Sequence, residues 1–216
     1  MLPTDLLSYI ETEIIPLYDS FDKAHNRLHV QRVIVESMTL AKQVGGLNAS
    51  MVYTIAAYHD TGLTVDRQTH HIVSGHIVLA DNRLRHWFSE EEIITMKEAV
   101  EDHRASAANE PRSIYGRIVA EADRQIDTDT VLRRTVQFGL KHYPELNKEG
   151  HYKRFIGHLQ EKYAEGGYLK LWFPESKNAL QLRKLQSVIC NKELLRSLFD
   201  SIYNDEVADL SIKRNE

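Results

Sequence analysis

Residues 52–62 read Val-Tyr-Thr-Ile-Ala-Ala-Tyr-His-Asp-Thr-Gly. Val52, Ile55, Ala56 and His59 follow a 3-1-3 spacing, the period of one helix face, so the His59 imidazole points with the apolar side chains. Asp60 lies one helical step on. Gly62 predicts the end of the helix, and a terminal turn can bring neighbouring side chains to one ion. The same period governs the chain on either side. With 10 Gly and 5 Pro in 216 residues, long segments run uninterrupted. No strand-like alternation of convincing length, no low-complexity tract and no internal repeat breaks the pattern. The expected fold class is all-α, a helical bundle with a C-terminal helical extension.

Working outward, a first helix is expected over 4–18, capped by Thr4 or Asp5, with Leu6, Ile10, Ile14 and Leu17 as its apolar stripe. A second covers 27–44 and ends at Gly45-Gly46. Asn48 or Ser50 caps the third, which runs to about Asp60. A loop over 63–70 leads to a helix over about 71–86. Ser89 followed by Glu92 is a capping-box pattern opening the helix at about 90–104. After a loop over 105–112, helices are expected at about 113–126, 128–141, 148–165 and 175–204. Asp127 or Asp129 is the expected cap of the helix at 128. The tail after about Asp205 is polar and expected to fray. One all-α domain is expected over 1–216, with a core at about 20–130 and the extension at about 131–216.

The composition narrows the chemistry. Lys and Arg total 27 against 31 Asp and Glu, a net charge of −4, with 11 His and a single Cys. Cys190 has no partner for a disulfide, which points to a reducing, cytoplasmic setting, and its apolar surroundings suggest buried packing. No apolar run reaches the ~18–20 residues of a membrane span, and Met1–Asp5 lacks the pattern of a signal peptide. A mildly acidic chain is a poor general nucleic-acid binder. Many imidazoles and carboxylates beside almost no thiol mean that any bound metal sits among nitrogen and oxygen donors.

Other inward faces carry such donors. His29 shares a side with Val33, Leu40 and Val44, and His103 with Ile93, Met96 and Val100. Asp123 shares one with Gly116, Val119 and Ala120, small or apolar neighbours that permit close approach. Taken singly, each reads as a hydrogen-bonded core histidine or an ion-pair partner. A buried carboxylate needs a partner or a metal, and three imidazoles and two carboxylates on successive inward faces fit Zn²⁺, Mn²⁺, Fe²⁺, Co²⁺ or Ni²⁺. His70, His86, His142, His151 and His158 show no inward partners in the sequence.

The order His29, His59-Asp60, Asp123 resembles the HD superfamily of metal-dependent phosphohydrolases. Residues 25–33, His-Asn-Arg-Leu-His-Val-Gln-Arg-Val, are similar to that family's first-histidine helix. Residues 53–60 are similar to the helix delivering the His-Asp pair, and residues 118–124, Ile-Val-Ala-Glu-Ala-Asp-Arg, to the helix of the final Asp. The resemblance covers roughly residues 20–130. It implies that His29, His59, Asp60 and Asp123 coordinate one divalent transition metal (Mn, Co, Ni, Zn or Fe), with Asp60 the carboxylate that could bridge to a second. In two-metal branches extra histidines lie between the pair and the last Asp. Here His71, His76 and His103 fill that interval, His103 first and His71 second as ligands of the second ion.

The implied activity is hydrolysis of a small phosphorylated metabolite, a nucleotide among the candidates, by water attack on phosphorus. Arg32, Arg104 and Arg124, close in sequence to these ligands, are the phosphate-binding candidates, with Arg27, Arg67 and Arg112 more distant. His103 or Asp102 is the candidate proton donor if neither binds metal. His25 stands near the expected pocket mouth. The aromatic residues Tyr152, Tyr163, Tyr168, Trp172 and Phe173 read as packing. Two readings stay open beside the phosphohydrolase: a di-iron oxygenase on the same scaffold and a non-catalytic nucleotide-binding or regulatory module. A homodimer is also open.

Overall fold

The third helix forms where the apolar period is densest. In the computed structural model, which describes residues 2–22, 24–104, 109–124 and 126–213, α3 spans Ala49–Tyr58. The Asn48 side chain caps it by accepting from the backbone N–H of Ser50 and Met51. Every residue from Met51 to Tyr58 is buried, so α3 is the central element of its unit. Among the described residues every regular element is helical, with no strand. The chain falls into two compact units, Met1–Arg124 and Gln125–Glu216. Part of the loop expected over 105–112 lies outside the described residues.

The first unit opens with α1 (Thr4–Tyr9), which passes into a π-helical turn at Ile10–Ile14 and a 3₁₀ segment at Ile15–Ser20. This corrects the uniform helix expected over 4–18. No side chain caps α1, whose N-cap is Pro3 rather than Thr4 or Asp5. Across this change of helix type Ile14, Ile15 and Tyr18 are buried while Leu17 is only half-buried. α2 (Arg27–Val44) starts at an Asn26 cap and stops at Gly45, whose φ of 74° favours glycine. Its last residue, Val44, is exposed, contrary to the expected stripe.

α4 spans His70–Ala80, and a 3₁₀ segment covers Asn82–His86. The helix expected over 71–86 therefore breaks at Asp81. That side chain accepts from Arg83 N–H at 3.0 Å and from the hydroxyls of Tyr9 and Tyr58, each at 2.5 Å. α5 (Glu90–Glu101) carries the expected capping box of Ser89 and Glu92. α6 spans Ile114–Asp123, with Ser113 as its cap. α3 packs against α2, α5 and α6, and α4 against α5.

The second unit holds α7 (Thr128–His142, capped by Asp127), α8 (Lys148–Lys162), α9 (Lys177–Cys190) and α10 (Lys192–Lys213). The helix expected over 175–204 is two, separated at Asn191, whose side chain accepts from Leu194 N–H at 3.0 Å. The tail expected to fray after Asp205 stays helical to Lys213. Cys190 is exposed, not buried, because the inward stripe of α9 runs through Leu185 and Ile189. Phe155, Phe199, Leu159 and Leu195 form the core. His151, read as lacking inward partners, is buried with its ring 5.6 Å from that of Tyr203.

Candidate functional site

Five helices of the first unit bring imidazoles and carboxylates to one place. His29 stands in the first turn of α2, where its backbone N–H donates to the Asn26 cap at 3.2 Å. His59 and Asp60 follow the last residue of α3. The Tyr18 hydroxyl fixes that end by donating to Ala57 O at 2.9 Å and accepting from Asp60 N–H at 3.2 Å. Gly62 lets α4 approach, since a Cβ there would lie 2.1 Å from His70 O and 2.7 Å from Ser74 N. That approach delivers His70 from the start of α4, while His103 arrives just after α5 and Asp123 ends α6.

Two sets result. His29, His59 and Asp123 form one, and Asp60, His70 and His103 the other. Within the first, the Nε2 atoms of His29 and His59 are 3.1 Å apart, and Asp123 Oδ1 is 3.2 Å from His29 Nε2 and 3.8 Å from His59 Nε2. Asp60 turns one oxygen to each set. Its Oδ2 lies 3.5 Å from His29 Nε2 and 3.2 Å from His59 Nε2. Its Oδ1 lies 3.3 Å from His70 Nε2 and 3.5 Å from His103 Nε2.

The hydrogen bonds behind the rings decide what this arrangement can hold. His59 Nδ1 meets Ala56 O at 2.8 Å, His70 Nδ1 meets Arg67 O at 2.8 Å, and His103 Nδ1 meets Val100 O at 2.6 Å. Carbonyls only accept, so each Nδ1 is the donor and each neutral ring turns its Nε2 lone pair inward. In the second set, two such lone pairs 3.1 Å apart face a carboxylate oxygen. Such a cluster of acceptors is satisfied by a proton or a cation held between them, and nitrogen with carboxylate oxygen suits a divalent transition metal. The residues present therefore fit metal ions in both sets.

The electrostatics agree. Burial raises the Asp60 carboxyl, but His59, His103 and His29 hold it well below the usual range. Asp123 is likewise held low against burial, chiefly by His29 and His59. Burial lowers His29, yet Asp123 and Asp60 push it up to about 9. His103 is raised against burial by Asp60. Both carboxylates thus favour nearby positive charge. The Asp123 side chain is 24% exposed and that of His70 15%, whereas His59 is fully buried.

The structure brings together His29, His59, Asp60, Asp123 and His103. His71 stays outside the cluster, its Nδ1 buried without a hydrogen-bond partner among the described residues, and burial lowers it to about 4. His70, read as lacking an inward partner, takes the place expected of His71. The buried face of α4 runs through Ser74, Gly75 and Val78. A reading that counts only large apolar side chains sees Val78 alone, which fits either histidine. Asp102 does not reach the cluster, because Arg112 occupies it through the backbone N–H at 2.7 Å and Nη2 at 2.9 Å. Tyr18 was not among the candidate residues, since a tyrosine beside an apolar stripe reads as packing.

Arg32 Nη2 lies 3.3 Å from His29 Nδ1. Arg104 Nη1 donates to Gln68 O at 2.7 Å. Arg124 follows Asp123 and is buried, and its Nε and Nη1 make no hydrogen bond among the described residues. Arg27 is paired with Asp19 and Arg67 with Asp22. His25 is held by Asp22 Oδ1 at 2.7 Å, its ring 5.9 Å from that of His29. His76 is exposed on α4. Among the described residues no helix is long and apolar enough to cross a membrane.

Residues 28–125 match the family model described as the HD domain. No curated protein and no solved structure matches the chain significantly.

Proposed function

We propose, from the premise that residues 28–125 are an HD domain, the domain of a metal-dependent phosphohydrolase superfamily, that this chain hydrolyses a small phosphorylated metabolite of the nucleotide class. The observation that carries the reading is Asp60, whose two carboxylate oxygens face two separate imidazole sets at 3.2–3.5 Å. His29, His59 and Asp123 would hold one divalent ion, His70 and His103 a second, and Asp60 both. A divalent metal in such a site lowers the pKa of bound water and polarises a phosphoryl oxygen.

The chain's own residues supply the rest. Backbone carbonyls of Ala56, Arg67 and Val100 fix three ring orientations, so the donor atoms are set before substrate arrives. Tyr18 positions Asp60 through the backbone at both sides of His59. Arg32, Arg104 and Arg124 are the groups we assign to the phosphate oxygens, where charge grows in the transition state. Asp102 is committed to Arg112 and His103 to the Asp60 set, so the leaving-group proton is assigned to neither.

Asp60→Ala tests the reading. Its expected result is loss of metal-dependent phosphatase activity in a chain whose circular dichroism stays helical. Equal activity in variant and parent would overturn the assignment.

A further inference from the structure

A cleft of about 430 Å³ lies between the first helical segment and the 3₁₀ turn after α4. Asp5, Ser8, Tyr9 and Thr12 line one wall, and Arg83, His86 and Trp87 the other. None of these residues belongs to the metal-type cluster.

The wall chemistry is specific. Trp87 stacks on Tyr9, with ring centroids 5.7 Å apart and planes at 22°. Its indole Nε1–H donates to Asp5 Oδ2 at 2.9 Å, which fixes the ring and engages the one carboxylate of the lining. The Arg83 guanidinium lies 4.0 Å from the Tyr9 ring centroid. A guanidinium stacked this way keeps its N–H edge free for a planar, bidentate contact. Among the described residues, no carboxylate forms an ion pair with Arg83 or His86. Trp87 is only half-buried, and the Ser8 and Thr12 side chains are exposed.

We propose that this cleft binds a small aromatic anion of the nucleoside-monophosphate type. The base stacks on Trp87, the phosphate is held between Arg83 and His86, and the hydroxyls of Ser8 and Thr12 meet the ribose. Size supports this choice, because ligand cavities of this order, roughly 300–1,000 Å³, take a whole small molecule and inorganic phosphate alone would leave most of the space empty. The inference does not use the metal-centre reading.

The test is a titration of AMP into the full chain carrying Trp172→Phe, which leaves Trp87 as the sole tryptophan. The expected result is saturable quenching, weakened about tenfold or more by Arg83→Ala, with adenosine and inorganic phosphate each binding at least about tenfold less tightly than AMP. Asp60→Asn leaves the quenching unchanged. Calorimetric titration of the natural chain and of Arg83→Ala repeats the comparison with Trp172 intact. Failure to saturate, equal binding by Arg83→Ala, adenosine binding as well as AMP, or loss of binding in Asp60→Asn would each overturn the proposal, the last by assigning AMP to the metal centre.

Discussion

The two units handle charge in opposite ways. Met1–Arg124 buries His29, His59, Asp60 and His103 against one another, with ring nitrogens facing carboxylate oxygens. Gln125–Glu216 sets its main ion pairs at exposed or half-buried positions. Arg196 meets Glu149 and Asp200, Lys148 meets Asp200, and Arg133 meets Glu206. The interior of that unit is built on Phe155 and Phe199, whose ring centroids are 5.1 Å apart. Buried charge is costly unless paired or bound to a metal. Four such groups gathered in one cluster fit the metal-binding role proposed for this unit. A unit whose interior is packed rings and whose ion pairs lie outside that interior is held by apolar burial.

This contrast can be broken at either end. The largest effect is expected from Asp60→Ala, which removes the carboxylate whose two oxygens face the two sets. Activity should fall by more than the roughly 10–100-fold that outer-shell changes around a metal cost. Elemental analysis should show the ions lost together. Next comes Phe199→Ala in the second unit, expected to destabilise by about 3–5 kcal/mol through the cavity it leaves. Denaturant unfolding measures that loss, and metal content should stay at the parent value. If Phe199→Ala strips the metal, the separation of roles fails.

Gly62→Ala should follow. The new Cβ meets backbone atoms of His70 and Ser74 that cannot swing away, so α4 must shift, at about 1–3 kcal/mol. The set of Asp60, His70 and His103 is the one disturbed. Metal content should drop toward the single ion of the other set, and a full complement would contradict the role given to this approach. Tyr18→Phe leaves the buried Asp60 N–H without its acceptor, a cost of about 1–3 kcal/mol. Because that bond orients a ligand, kcat should fall while KM changes little. The smallest effect belongs to Arg196→Ala, whose exposed pairs are worth about 0–1 kcal/mol. A thermal melt should barely move.

Much of this was legible in the chain, and the exceptions have physical causes. α2, α3 and α5 follow from strong apolar stripes and local caps, at Asn48 and at Ser89 with Glu92. Three inward imidazoles and two carboxylates could be read from the same period. The break at Asp81 could not, because the hydroxyls of Tyr9 and Tyr58 that hold it are far away in sequence. The break at Asn191 lacks a glycine or proline to mark it. His70 was hidden because the face it shares is made of Ser74 and Gly75, small residues that carry no apolar signal. Tyr18 was not singled out because its role lies in hydrogen bonds to Ala57 O and Asp60 N–H, partners about forty residues away in the chain.

The most direct test is elemental analysis of the purified full chain, coupled to a phosphatase screen with Mn²⁺, Co²⁺, Ni²⁺ and Mg²⁺, run beside Asp60→Asn. Divalent metal bound by the parent, phosphate released from a nucleotide substrate, and loss of both in Asp60→Asn are the expected results. A chain that binds no divalent metal would contradict the account. So would one that holds two irons and turns over only with oxygen.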